Sequence, residues 1–252
     1  MTHFQYASDL HLEFPENRQW LLDHPLEPVA DILLLAGDIV PFVKLNAYMD
    51  FFRFLSKRWK EVYWVPGNHE YYGDDLSRRS GTLNEAVLPN VHLVNDTAVL
   101  CGDTRLLLTT LWAPISQMNE YAVRHGMMDY RAIRYRNTPL LPAHTTRLHE
   151  ASLRWLKTEL RKTAPTERTI VITHHVPTFL YYPEEFKGDG LNEAFAVELQ
   201  DLILESGIDA WIYGHHHRNT PTFNIGKTWL LTNQLGYVRH KEQRGFSTDA
   251  LL

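Results

Sequence analysis

Seven of the chain's 14 histidines fall in four short segments: His11, His69, the pair His174-His175 and the run His215-His216-His217. Each segment follows a strand-like apolar run. Asp9 stands two residues before His11, and Asn68 stands beside His69. A further carboxylate, Asp38, ends the stretch Asp31-Ile32-Leu33-Leu34-Leu35-Ala36-Gly37-Asp38. A carboxylate delivered by a buried strand must be paired, hydrogen-bonded or bound to metal, because burying it alone costs too much. Asp9, His11, Asp38, Asn68, one of His174 or His175, and two of the His215–217 run offer only oxygen and nitrogen donors. Such a set suits manganese, the first expectation here, or iron, zinc, cobalt or nickel, and it disfavours a calcium cage. The single cysteine, Cys101, excludes an internal disulfide, thiolate-rich zinc sites and iron–sulfur clusters, and is expected to be a small buried hydrophobe.

Seven ligands exceed what one four-coordinate ion uses, so two ions with a shared bridge are expected. Among these side chains only a carboxylate bridges with two oxygens, which points to Asp38. Two metals roughly 3.5–4 Å apart hold a hydroxide and clamp both the attacking and the leaving oxygen of a phosphoryl group, with the pKa of bound water lowered from 15.7 to about 7. His69 is left for the general acid, since an imidazole with a pKa near 6.5 suits protonation of a leaving oxygen. In extended backbone, residues i and i+2 share a side. On that geometry Asp9 converges with His11, and His215 with His217, while Leu10 and His216 point away.

The elements that must carry these residues alternate strand and helix. Strands are expected at 2–8, 32–36 and 61–65, and a helix over 44–60 with Leu45, Tyr48, Met49, Phe52 and Leu55 on its apolar stripe. Such βαβ connections make a largely parallel sheet, with functional groups beyond the carboxyl ends of its strands. Residues 75–88 read as helical, followed by short strands at 91–94, 98–100 and 106–110 separated by turn residues. Long helical patterns cover 142–162 and 192–206, and strands 169–173 and 210–213 deliver the later histidines. Residues 112–142 carry Arg124, Arg131, Arg134 and Arg136; they form either a solvated excursion or an active-site flap whose arginines meet substrate phosphate. No repeat or linker divides the chain, so residues 1–252 are expected to be one domain.

Hydrophobic residues at 44 % allow a sizeable core, and charged residues at 22 % are ordinary for a globular protein. The formal net charge of −5 argues against a role coating nucleic acid, although a local groove lined by the four arginines would still grip a short strand. The first residues lack a basic stretch followed by an apolar one, and no apolar run approaches the roughly 20 residues of a membrane span. A cytoplasmic protein without a membrane partner is expected; the oligomeric state stays open.

Asp9-x-His11, Gly37-Asp38, Gly67-Asn68-His69-Glu70, His174 in Thr-His-His-Val-Pro, and Gly214-His215-x-His217 together resemble the five blocks of the calcineurin-like metallophosphoesterases, in the family's order. The Asn68–Gly73 run and Asn-x-x-Gly-Tyr at 233–237 are most similar to a bacterial branch of phosphohydrolases. The resemblance implies an α/β fold: a four-layer α/β/β/α sandwich of two mixed sheets, with a dinuclear site at the strand C-terminal ends. It implies that one metal takes Asp9, His11, Asp38 and His217, that the other takes Asp38, Asn68, His174 and His215, and that His69 is the acid. Glu70 stands where the family commonly has aspartate, which leaves the orientation of His69 open. The expected activity is metal-dependent hydrolysis of a small phosphomonoester, phosphodiester or nucleotide. The alternatives are a nuclease on short DNA or RNA and a non-catalytic scaffold on the same fold. Tyr71, Tyr72, Phe179, Tyr181 and Tyr182 form either a base-stacking wall or ordinary loop packing.

Overall fold

The computed structural model describes residues 2–162 and 168–252. The first sheet contains β1 (Phe4–Ala7), β2 (Ile32–Ala36), β3 (Glu61–Val65), β4 (Leu83–Leu88) and β5 (Val91–Asn95), in the order β1-β2-β3-β5-β4. Only β4 runs antiparallel to its neighbour. The second sheet contains β6 (Thr97–Cys101), β7 (Thr104–Thr109), β10 (Arg168–Thr173), β11 (Ala210–Tyr213), β12 (Phe223–Ile225) and β13 (Thr228–Thr232). Its order is β12-β13-β11-β10-β7-β6, with a parallel centre and antiparallel edges. A small separate hairpin joins β8 (Arg134–Tyr135) to β9 (Thr138–Pro139).

Period-two alternation sorts the apolar side chains into layers. Ile32, Leu34 and Ala36 face inward and meet Leu106, Leu108, Ile170, Ile172 and Ile212 of the second sheet. Leu33, Leu35, Val62 and Trp64 face outward and pack under α1 (Pro15–Asp23) and α2 (Met49–Arg58) through Leu21, Phe52 and Leu55. On the far side, Leu107, Val171, Trp211 and Tyr213 are covered by Leu156 of α5 (Pro142–Leu160) and Ile203 of α6 (Gln200–Ser206). The result is the expected α/β/β/α sandwich of two mixed sheets. β2 is buried at every position, as its continuous Ile/Leu run requires.

Four local expectations differ. The helix expected over 44–60 is 3-10 through Phe42–Tyr48 and α-helical only over Met49–Arg58. Residues 75–88 hold a single 3-10 turn at Leu76–Arg78 and then strand β4, because Gly81 punctuates the pattern and Leu83–Leu88 finds a ladder on β5. The stretch 192–206 is α-helical only from Gln200: a 3-10 turn ends at Ala194, and Val176 and Ala196 then pair as a bridge that holds the chain extended. The short strands expected over 91–110 divide between the sheets, β5 joining the first and β6–β7 the second. Residues 112–142 fold into α3 (Glu120–Gly126), α4 (Asp129–Ala132) and the small hairpin. Cys101 is buried as expected.

Beyond the strand ends the sheets are stitched together. Ser8 N–H donates to Asn233 O at 2.9 Å, Leu235 N–H to Ser8 O at 3.1 Å and Gly236 N–H to Asp9 O at 3.1 Å. The segment after β1 and the segment after β13 therefore meet, and the histidine segments gather around that seam.

Candidate metal centre

Every strand that delivers a candidate ligand stops short of it. Asp9, His11, Asp38, His215 and His217 all have positive φ, at 55°, 47°, 57°, 83° and 52°. Non-glycine residues seldom occupy this left-handed region, and such strain collects at functional sites. The extended-backbone argument for their convergence is therefore corrected: tight left-handed turns, not pleated alternation, aim these side chains. Two glycines make room. Gly37, at φ 92°, lies against the His174 imidazole, and a Cβ on Gly67 would strike Asp38 Oδ1 and His174.

The turns bring two groups together. Asp9, His11, Asp38 and His217 offer donor atoms within 4.8 Å of one another, as do Asp38, His174 and His215. Asp38 belongs to both: its Oδ2 lies 3.7 Å from His11 Nε2 and its Oδ1 3.4 Å from His174 Nε2. Asp9 Oδ1 is 3.4 Å from His217 Nε2. Asn68 Oδ1 is 3.1 Å from His174 Nε2, which places it with the second group. All seven expected ligand side chains thus surround two adjacent points. His175 and His216 turn away: His175 Nδ1 bonds the Thr110 carbonyl at 3.2 Å, and the His216 ring faces the Gln234 amide. Burial lowers both, His216 to about 4, so both are neutral.

The chemistry of the donor set decides whether it fits metal ions. Each of the four imidazoles has its other ring nitrogen on an acceptor: His11 Nδ1 on Glu13 at 3.2 Å, His174 Nδ1 on Ala36 O at 2.9 Å, His215 Nε2 on Ala194 O at 3.2 Å and His217 Nδ1 on Glu242 at 2.8 Å. A carboxylate or carbonyl only accepts, so the ring proton sits there and the site-facing nitrogen carries a lone pair. Those lone pairs face each other, His11 Nε2 to His217 Nε2 at 2.9 Å and His174 Nε2 to His215 Nδ1 at 3.1 Å. Facing lone pairs repel unless a proton or a metal ion lies between them. Acceptors behind each imidazole are also the usual outer support of metal-binding histidines. The residues fit a metal centre.

Electrostatics agree. Burial opposes charge on His174 and His217, but the carboxylates outweigh it, Asp38 pushing His174 up to about 9 and Asp9 with Glu242 pushing His217 up to about 10. Their partners His215 and His11 are held down, chiefly by burial. Each facing pair thus retains one proton where no metal ion binds. Asp38 resists burial and lies well below the usual carboxylate range because His174 and His69 surround it.

His69 lies at the edge of the first group. Glu13 Oε1 accepts from its Nδ1 at 2.9 Å, Tyr72 stacks on its ring at 4.1 Å, and its Nε2 meets the Tyr237 hydroxyl at 3.2 Å. Burial disfavours its charge, yet Asp38 and Glu13 raise it overall. Glu13 itself is pulled down to about 2 against the cost of burial by His11 and His69. So Glu13, not Glu70, orients His69. The Glu70 carboxylate instead gathers the N–H groups of Asp38, Ile39, Val40 and Gly67 and the Trp64 indole at 2.6–3.3 Å, bracing the turns that carry Asp38 and Asn68.

Sequence reasoning missed Glu13, Glu242 and Asp129. Asp129 accepts from Asn68 Nδ2 at 2.8 Å and from the Tyr72 hydroxyl at 2.7 Å, which turns the Asn68 carbonyl oxygen to the site. Glu13 carried a signal, continuing the i+2 series of Asp9 and His11; the other two carried none. The segment 112–142 therefore reaches the site through Asp129 and lines the adjoining cavity through Met127 and Met128, not through its arginines, which are all exposed and absent from the cavity wall. Tyr72 and Tyr182 line that cavity, whereas Tyr71 is buried against Phe42 and Trp112, and Tyr181 packs on Phe223.

A two-sheet sandwich with aspartate, asparagine and histidine gathered at its strand ends defines a metallophosphoesterase architecture. The chain belongs to the calcineurin-like phosphoesterases: the family's model matches residues 5–219. Uncharacterized protein L509 of Acanthamoeba polyphaga mimivirus is 31 % identical over 271 aligned residues, covering 96 % of this chain and 93 % of that protein. Among solved structures, the Phosphopantetheinyl Hydrolase (PptH) from Mycobacterium tuberculosis has a TM-score of 0.72 at 15 % identity, covering 100 % of this chain and 95 % of that one. A dimetal phosphatase from Danio rerio has a TM-score of 0.49 at 14 % identity, over 92 % and 87 % of the two chains. At 15 % identity the likeness to the first of these speaks for the fold alone. The family implies divalent metal ions, a small phosphorylated substrate and phosphoester hydrolysis. No helix among the described residues is long and apolar enough to cross a membrane.

Proposed function

We propose that the chain is a dinuclear metal phosphoesterase, with manganese as the metal to test first. Asp9, His11, Asp38 and His217 would hold one ion, and Asp38, Asn68, His174 and His215 the other. The observation that carries this reading is Asp38, whose two oxygens face the two histidine groups separately. Two ions bound there supply Lewis acidity for the phosphoryl oxygens and an activated water at neutral pH.

The chain's own residues do the rest. As the imidazolium, which Asp38 and Glu13 favour against burial, His69 carries a proton on Nε2 as well as the Nδ1 proton that Glu13 accepts. From there it protonates the departing oxygen as the ester bond breaks, so an alcohol leaves in place of an alkoxide. The His69 main-chain N–H donates to Asp38 Oδ1 at 2.9 Å, which ties the acid to the proposed bridging ligand. Glu13, Glu242 and the Ala36 and Ala194 carbonyls keep the four imidazoles in one tautomer each, so no ring need turn when metal binds.

The test is hydrolysis of 4-nitrophenyl and alkyl phosphate esters by wild type and His69→Ala, each reloaded with Mn²⁺. Loss of the acid is expected to slow alkyl esters about 10²–10⁴-fold with metal content retained. Nitrophenyl esters, which need less protonation, should lose much less. Equal losses for both ester types would contradict the assignment of His69.

A further inference from the structure

Beside the metal cluster the structure holds a cavity of about 380 Å³, within the range of small-molecule sites, roughly 300–1,000 Å³. Asp38, Asn68 and His69 form part of its wall, so whatever fills it adjoins the proposed reaction centre. Much of the remaining wall is apolar: Met127 comes from the end of α3, Leu191 and Phe195 from the segment before α6, and Tyr182 and Phe186 from the loop after β10. Beyond the metal cluster its ionic groups are Asp189, Glu242 and one cation, Arg218. Arg218 is already engaged: its Nε lies 3.2 Å from Glu185, and its guanidinium sits 5.7 Å from the Phe186 ring centroid. His216, also in the wall, turns its ring to the Gln234 amide.

A phosphate dianion, a polyphosphate or a nucleic-acid strand needs positive charge beyond the metal ions, usually several arginines or lysines. Here the one cation outside the metal cluster is paired with Glu185, while Asp189 accepts from Leu191 N–H and Glu242 from His217 and Tyr237 N–H, so that wall presents a largely apolar surface. Burying an apolar group against five apolar side chains is favourable at about 25 cal/mol per Å². Resting on the phosphoesterase reading, we propose that the cavity receives an uncharged apolar or aromatic substituent, making the substrate a phosphodiester with one phosphate and a compact organic group. In the reaction, the water oxygen bonds to phosphorus and the bond from phosphorus to the alcohol breaks. The alcohol leaves with the His69 proton, and His69 is reprotonated by the proton the water gives up.

The experiment compares three esters with one leaving group on the Mn²⁺-loaded enzyme: bis(4-nitrophenyl) phosphate, methyl 4-nitrophenyl phosphate and 4-nitrophenyl phosphate. The aryl diester should exceed the methyl diester in kcat/KM by at least about 10-fold, the discrimination a single apolar group gives. Both diesters should exceed the monoester. Leu191→Asn and Met127→Gln should each shrink the aryl-to-methyl ratio severalfold. Ligand-observed NMR on the metal-free chain, with benzyl alcohol as probe, should show saturation transfer that either variant weakens. A faster monoester, an aryl-to-methyl ratio near one, or transfer indifferent to both variants would overturn the inference while leaving a working phosphoesterase. Failure to hydrolyse any of the three esters with any metal would instead overturn the reading on which it rests.

Discussion

Each candidate imidazole uses one nitrogen for the protein and leaves one for the site, and this division has a consequence in solution. In the metal-free chain His174, at about 9, and His217, at about 10, are protonated at pH 7.5. Metal binding must expel those protons, so calorimetric titration of Mn²⁺ in buffers of differing ionisation enthalpy should report release of about two protons, and affinity should rise with pH. Stability follows the same groups. A histidine whose folded pKa is raised stabilises fully below its unfolded value near 6.5 and loses that contribution as pH climbs through its folded pKa. The metal-free melting temperature should therefore fall between pH 7 and 10; a flat profile would contradict the raised values. Removing a partner behind an imidazole tests the outer support: Glu242→Gln should weaken metal affinity about 10–100-fold through His217, read by competition with a chelator. At this scale the sequence was most informative, because aspartate, asparagine and histidine at strand ends betray their chemistry by type. Glu242 and Asp129 were illegible because their roles arise from contacts 25 and 61 residues away in the chain.

The turns beyond β1, β2 and β11 do the positioning, and they were the least legible elements. Apolar runs and glycines announced where strands stop, yet nothing in Asp9-Leu10-His11 or His215-His216-His217 announced positive φ, which for these residue types is imposed by surrounding hydrogen bonds. Glu70 illustrates the imposition. Burial and the Asp38 charge push it up to about 8, while the N–H groups of Ile39 and Gly67 pull it back toward its charged form. Its carboxylate joins the turn after β2 to the turn after β3. Glu70→Gln puts an amide donor against N–H groups and should destabilise the fold by about 1–3 kcal/mol, measured by thermal unfolding, and lower metal occupancy with it. The misread helix at 75–88 has a similar origin, since only pairing with β5 makes Leu83–Leu88 a strand. The strands 32–36 and 61–65 were legible because burial on both faces leaves a continuous apolar run.

The molecule as a whole holds the candidate site between two sheets that share one apolar interior, and neither sheet carries the whole of the proposed ligand set. The first supplies Asp9, His11, Asp38 and Asn68; the second supplies His174, His215 and His217. The order of layers was legible from the family resemblance, but the seam was not. β1 would be an open edge were it not covered by the C-terminal residues, where Phe4 and Leu252 exchange N–H···O bonds at 3.0 and 2.8 Å. Deleting residues 247–252 should therefore lower the melting temperature and release metal together, as the strand leading into Asp9 and His11 loosens. The central claim, two ions sharing Asp38, is tested most directly by anomalous diffraction from crystals grown with Mn²⁺. Two peaks roughly 3.5–4 Å apart, one on each oxygen of Asp38, are expected. A single peak, or two peaks of which only one touches Asp38, would contradict it.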